Sequence, residues 1–257
     1  MTLANVTSIL LTAIAALYTA FLLPTLQQYF SALVSRWVQQ REDAEAQRHA
    51  INLQYLNPLR LWLEETYVRL QIIETELAAS DRPSPLLSIA APTHISDQDA
   101  AWFNQEGAYL TSTCYITACL FWALKQVRDN LPYLRLSRER DTELMTLMFQ
   151  VSQSFLQDLG IFYVIQPSIG NDVYLASQQR LMTYREFCAR LQQPEERIWS
   201  DRLIQFYLDM WQNQRPQNLA AALGAIQALS AFLDQHIGAG VSIRDRLKAE
   251  GITLTKT

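Results

Sequence analysis

The chain has 257 residues, of which 49% are apolar and 18% are charged, and its formal net charge is −4. Its seven glycines and nine prolines are about half the usual share, which argues against sandwiches, barrels and doubly wound sheets with their frequent turns. The apolar content excludes a disordered chain, and the charge balance argues against nucleic acid as a partner. Composition therefore predicts an all-α protein.

An apolar run stands near the start of the sequence. Residues 6–23 read VTSILLTAIAALYTAFLL, and no charged side chain precedes Arg36. With two more apolar residues, the run reaches the ~20 residues that a helix needs to cross a hydrocarbon core. No Lys or Arg stands ahead of it, which argues against a cleaved signal peptide. We predict a transmembrane anchor over residues 1–24 that contacts the lipid bilayer, with a buried helix of a soluble protein as the alternative.

The first positive charges, Arg36 and Arg41, follow the predicted anchor. By the positive-inside rule they predict a single-pass membrane protein with its N-terminus outside and its main domain in the cytoplasm. Residues 25–56 are predicted to form a helical stalk with a polar middle and a narrow apolar stripe that includes Leu33 and Trp37. Such a stripe is compatible with a homo-oligomer and also with packing of the stalk on its own domain.

Residues 57–240 are predicted to form a bundle of about six helices, with a proline-rich linker over residues 80–95. Asn57 followed by Pro58 is a typical helix start, and Pro216 is expected to start the last long helix. Between them, a helix is predicted from Ser96 to about Asn130. Its stretch from residue 109 to 122 is apolar nearly all round, which indicates the central helix of the bundle.

The second half of the bundle is harder to divide. A fourth helix is predicted from Ser137 or Asp141 to Gly160, and residues 161–175, which lack periodicity, are predicted to form a long connection or a short hairpin. Further helices are predicted over Ser177–Leu191 and from Pro194, and residues 241–257 form a polar tail.

The sequence contains none of the searched motifs of metal or nucleotide chemistry. It has no HExxH, phosphate loop, dinucleotide fingerprint or GxSxG elbow, and His49, His94 and His236 lie in separate regions. No cofactor, metal or catalytic residue is predicted, although an enzyme is not excluded. The odd number of cysteines (Cys114, Cys119 and Cys188) indicates buried free thiols rather than a disulfide framework.

Three charged residues are candidates for a structural ion pair or a ligand site. Glu65 and Arg69 are one turn apart on a helix with an apolar face, and Arg180 opens a later predicted helix. One interpretation is ordinary surface ion pairs. The other is that Arg69 or Arg180 enters the bundle and meets Glu65, which would fix helix register or line a ligand site.

Several short segments carry a resemblance to a known type of protein. They are the YLNPL segment at 55–59, Glu65 with Arg69-Leu70, Phe121-Trp122 with Val127-Arg128, Gln179-Arg180, and Phe232-Leu233-Asp234. In these the chain resembles a family of uncharacterised, single-span, all-helical membrane proteins, over most of the region after the predicted anchor. Leu181, Met182 and Thr183 depart from the family's pattern of small residues. The resemblance implies an anchored helical architecture and no known activity.

Two functions follow from these patterns as hypotheses. The first is a membrane-anchored helical scaffold, assembly factor or regulatory protein with a protein partner in a membrane complex. The second is a helical sensor or carrier that binds an apolar ligand or lipid in the bundle core. A cavity lined by Tyr109 and Trp122, with Arg69 or Arg180 at its mouth, would favour the ligand, whereas a solid core with an exposed apolar patch would favour the partner.

Overall fold

A computed structural model of the chain describes residues 23–78, 100–134, 138–156, 160–212 and 216–236, together with Ala16 and Tyr18. Within these residues the chain is mostly helical, with one two-stranded hairpin, so the predicted all-α class is confirmed. The contacts divide the chain into two units, residues 1–50 and residues 51–257.

The first unit contains most of helix α1 (Leu23–Ile51), which is 29 residues long and covers much of the predicted stalk. Across the part of the chain that the structure describes, none of the helices combines the length and the apolar character that a membrane span requires. The predicted anchor over residues 1–24 lies outside the described residues, apart from Ala16, Tyr18, Leu23 and Pro24.

The second unit begins at Ile51, earlier than the predicted domain boundary at residue 57. A π-helical turn (Asn52–Leu56) follows α1, and Ile51, Tyr55 and Leu56 pack against the core. The described helices after this turn are α2 (Asn57–Ala78), α3 (Ala100–Asn104), α4 (Ala108–Leu134), α5 (Arg138–Ser154), α6 (Gln166–Asp172), α7 (Tyr184–Leu191), α8 (Ile198–Gln212) and α9 (Pro216–His236). Helix α9 begins at Pro216, as predicted, whereas Asn57 is the first residue of α2 directly after the π-helical turn and does not cap a separate helix.

Helix α4 is the centre of the bundle, as predicted from its apolar character. It packs against α2, α6, α7 and α8, and its residues 116–121 are all buried. Helix α9 packs across α2 and α5. Arg60 of α2 fastens that packing, because its guanidinium donates to the Leu233 carbonyl at 2.6 Å and pairs with Asp234 at 3.2 Å.

Buried threonines in α4 are satisfied within the helix and by neighbouring helices. Each of Thr111, Thr113 and Thr117 donates its hydroxyl to the carbonyl four residues earlier. Thr111 also bonds the Tyr184 hydroxyl at 2.6 Å, and Thr117 bonds the Tyr207 hydroxyl at 2.5 Å. These bonds remove the cost of burying polar groups in an apolar core and fix α7 and α8 against α4.

The boundaries predicted for the central helix are wrong. The long helix expected up to Asn130 is broken by a turn at residues 105–107, where Gly107 lies directly against the Trp102 ring. Its second part, α4, continues through Pro132 to Leu134. Pro132 has no N–H to donate to the carbonyl of Arg128, so α4 lacks one hydrogen bond in its last turn and ends two residues later.

The segment after α5 also differs from the prediction. Residues 161–175, expected as a connection or hairpin, contain α6, and residues 177–181, expected as helix, belong to a hairpin of β1 (Tyr174–Leu175) and β2 (Arg180–Leu181). Gln179 takes a positive φ of 51° in the hairpin turn, which is incompatible with a helix. Helix α7 begins only at Tyr184, after a capping box in which Thr183 and Glu186 bond each other's backbone N–H.

Candidate functional site

Arg69 points its guanidinium at the ring of Tyr109. The guanidinium carbon lies 4.4 Å from the ring centroid, and both side chains are half-buried at the contact between α2 and α4. Glu65 is half-buried one turn before Arg69, but none of the ion pairs among the described residues joins the two. Arg69 therefore enters the helix packing through a cation–π contact.

Arg180 has a different partner from the one considered from the sequence. Its guanidinium donates two hydrogen bonds, of 2.8 and 2.7 Å, to the two oxygens of Glu186. Arg180 and the N–H of Thr183 lower the pKa of Glu186 to about 2. The pair joins β2 to the start of α7. The hypothesis that Arg180 meets Glu65 is therefore wrong, because Glu186 of the capping box offers a carboxylate only six residues away from Arg180.

Trp122 and Tyr109 do not line one cavity. The Trp122 ring stacks on Tyr174 of β1, with centroids 5.5 Å apart and an angle of 21° between the planes. Thirteen residues separate it from Tyr109 on α4, a distance of about 20 Å along the helix axis. The five predicted site residues therefore fall at three places: Glu65, Arg69 and Tyr109 near the start of α4, Trp122 beside the hairpin, and Arg180 at α7.

The buried thiols and phenols of the core are held in their neutral forms. Cys114, Cys119 and Cys188 are buried free thiols, as predicted. Burial raises the pKa of Cys119 to about 12 and raises the pKa of Cys114 and Cys188. Burial also raises the pKa of Tyr207. At neutral pH these groups are packing and hydrogen-bonding elements.

An exposed apolar patch lies at the contact between α5 and the turn before α6. Phe149 of α5 packs edge-on against Tyr163, with ring centroids 6.2 Å apart. The bulky side chains here keep 37–62% of their surface exposed. We define the docking patch as Met145, Phe149, Phe162, Tyr163 and Val164.

A small cavity opens beside the docking patch. Its volume is about 60 Å³, and Met145, Phe149 and Tyr163 form part of its wall together with Phe121, Leu124, Met148 and Pro167. Arg128 also lines it, and its side chain is exposed. The patch is therefore an apolar surface with an indentation and a positive charge next to it.

Buried hydrogen bonds hold the turn that carries the docking patch. Ile161 is buried, and its N–H donates to the Phe155 carbonyl at 2.8 Å. Gln166 is 3% exposed, and its side-chain amide donates to the carbonyls of Ser152 at 2.7 Å and Ile161 at 3.0 Å. These bonds present residues 162–164 in a fixed conformation on the bundle surface.

Sequence reasoning missed the docking patch. Residues 161–165 were read as a non-periodic connection, but Phe162, Tyr163 and Val164 are three bulky apolar residues in a row. Connections usually run over the surface and are polar, so three bulky apolar residues in a connection indicate an exposed apolar surface. The contact between Phe149 and Tyr163 forms only when the turn packs against α5.

Further comparisons give no independent guide to the site. Known protein families, characterised proteins and solved structures yield no match to this chain. Among the described residues there is also no group of three His, Cys, Asp or Glu side chains that could hold a metal ion.

Proposed function

We propose that this chain is a membrane-anchored helical interaction protein, a scaffold, assembly factor or regulatory subunit whose bundle docks a protein partner within a membrane complex. The docking patch is the observation that carries the proposal. It is a cluster of exposed aromatic and aliphatic side chains around an indentation, and it is held rigidly by Ile161 and Gln166. Such surfaces on a folded domain are typical of sites that bind other proteins.

Membrane attachment is the second part of the proposal and is supported by the sequence. The apolar run over residues 6–23 would serve as the single span of an anchor at 1–24, and Arg36 and Arg41 would keep the bundle on the cytoplasmic side. A carbonate wash of membranes tests it: the full-length chain should stay in the pellet, and a chain lacking residues 1–35 should move to the supernatant. Retention of the shortened chain would contradict a single N-terminal anchor.

The size of the cavity favours docking over the alternative of an apolar-ligand or lipid carrier. The cavity beside the patch measures about 60 Å³. A cavity that holds a ligand as small as benzene measures about 150 Å³. A second feature, a groove of about 640 Å³ between α5 and α9, is large enough for a ligand but is open to solvent, with small side chains such as Ala221 and Ala225 in its wall, so it does not enclose an apolar molecule.

Comparative capture from detergent-solubilised native membranes tests the docking patch. Tagged wild type is compared with Phe162→Ser and with Ile198→Ser, a matched control because Phe162 is 56% and Ile198 60% exposed. We expect a protein partner to co-purify with wild type and with Ile198→Ser, and to be depleted at least tenfold with Phe162→Ser. Equal recovery with all three chains would contradict docking at this patch.

A further inference from the structure

Helix α1 carries a second exposed apolar surface, in the unit that precedes the bundle. Six bulky side chains in its first half keep 41–63% of their surface exposed: Tyr29, Phe30, Leu33, Val34, Trp37 and Val38. A free surface of this kind is costly in water, so it implies an apolar or interfacial environment.

These six side chains share one half of the helix. At 3.6 residues per turn they cover an arc of about 180°, whereas Gln28, Ser31, Ser35, Arg36 and Gln39 occupy the opposite half. The segment of residues 28–39 is thus amphipathic. We call its two sides the apolar face and the polar face of α1.

The charges around this segment are unevenly distributed. Arg36 and Arg41 are the only charged residues among the first 41, and all 25 acidic residues follow Arg41. The Arg41 guanidinium lies 5.6 Å from the centroid of the Trp37 ring, at the end of the apolar face. Arg41 pairs with Glu45 at 3.4 Å, so Arg36 supplies the net positive charge of the segment. The remainder of the chain is negative, and the positive sign of the segment complements an anionic surface.

The shape of the apolar face argues for a lipid surface over a second copy of the helix. A coiled-coil seam is narrow and repeats over several heptads. This face covers about half of the helix circumference and ends at Val38, where the polar residues Gln39 to Asp43 follow. Its aromatic side chains beside arginines are the composition found where helices lie at a membrane interface.

We infer that residues 28–39 of α1 lie in the headgroup region of an anionic bilayer, with the apolar face toward the acyl chains and the polar face toward water. This inference rests on the membrane attachment of the proposed function. It adds that the helix lies on the lipid surface itself rather than standing away from it as a spacer.

Spin labelling of the full-length protein tests this placement. Leu33→Cys on the apolar face is compared with Ser35→Cys on the polar face, and the three native cysteines are buried. The protein is reconstituted into vesicles of phosphatidylcholine with one third phosphatidylglycerol. We expect the label at position 33 to be relaxed mainly by oxygen, and the label at position 35 mainly by a water-soluble nickel chelate, with ratios that differ several-fold.

Each other outcome overturns the inference in a recognisable way. If both labels on vesicle-bound protein were equally accessible to nickel, α1 would lie in water. That result would contradict the inference but leave the membrane attachment of the proposed function standing. Dipolar broadening between labels at position 33 would show that a second copy covers the apolar face. Protein that does not sediment with the vesicles would contradict the membrane attachment of the proposed function as well.

Discussion

The rings of Phe149 and Tyr163 meet edge-on, 6.2 Å apart, while each side chain keeps about half of its surface exposed. This contact joins α5 to the turn before α6 and forms the middle of the docking patch. Both rings are held in place before any partner arrives, which lowers the ordering cost of binding.

A double-mutant cycle should detect this ring pair in the free protein. Phe149→Ala and Tyr163→Ala, measured singly and together by urea unfolding, should show a coupling of about 0.5–1.5 kcal/mol, because aromatic pairs contribute this much beyond area burial. A cycle of Phe149→Ala with Phe162→Ala is the control and should show little coupling. Additive effects of Phe149 and Tyr163 would mean that the rings are not in contact in solution.

Two glycines should respond in opposite ways to an added methyl group. A Cβ built on Gly170 of α6 would lie 2.7 Å from the Trp122 Cα, against the α4 backbone, whereas one built on Gly224 of α9 meets nothing within 4 Å. Gly170→Ala should lower the free energy of unfolding by about 1–3 kcal/mol or more. Gly224→Ala should raise it by about 0.5–1 kcal/mol, because alanine is the better helix former.

Urea unfolding of the two alanine variants decides between these expectations. If Gly170→Ala were as stable as wild type, α4 and α6 could not approach each other as closely as described. If Gly224→Ala lost stability, the open space at that position of α9 would be filled in solution.

The ionisation of Glu186 should make the free energy of unfolding depend on pH in the acid range. Its pKa falls from an ordinary value of 4.5 to about 2, so the charged form stabilises the folded state above about pH 4.5. This contribution is lost as the pH falls from about 4.5 to about 2. The free energy of unfolding of wild type should therefore decline more steeply over this range than that of Glu186→Gln. Parallel curves would mean that the Arg180 contact does not persist in solution.

The cation–π contact of Arg69 should contribute measurably to stability. Arg69→Met keeps the apolar stem but removes the charge above the Tyr109 ring, and should cost about 0.5–2 kcal/mol in the free energy of unfolding. Arg202→Met, at an exposed position on α8, is the control for the loss of an arginine. Equal effects of the two substitutions would show that the Tyr109 contact adds nothing.

Local signals in the sequence were sufficient where local chemistry decides the structure. Pro216 starts α9, and Pro58 stands in the first turn of α2, because the fixed φ of proline acts within a few residues. The apolar residues around the whole circumference of α4 likewise predict that this helix is buried on all sides. A short hairpin was one alternative for residues 161–175, but the hairpin lies at residues 174–181, where Tyr174 stacks on Trp122, a contact between distant parts of the chain.

The candidate site was predicted less well than the fold, for a related reason. Arg180 binds Glu186, the acidic residue of a capping box whose pattern, Thr183 followed three residues later by Glu186, is visible in the sequence. The docking patch depends on the approach of Phe149 to a turn fourteen residues later, which no periodicity encodes. Long-range packing, rather than residue type, decides which apolar side chains remain exposed.

Site-specific photo-crosslinking in native membranes tests the central claim most directly. A benzoylphenylalanine is placed at Phe162 in the docking patch or at Ile198, an equally exposed apolar position on α8. The account predicts a discrete protein adduct after irradiation at position 162 and its absence at position 198. Identical adducts at both positions, or no protein adduct at position 162, would contradict a partner docked on this patch.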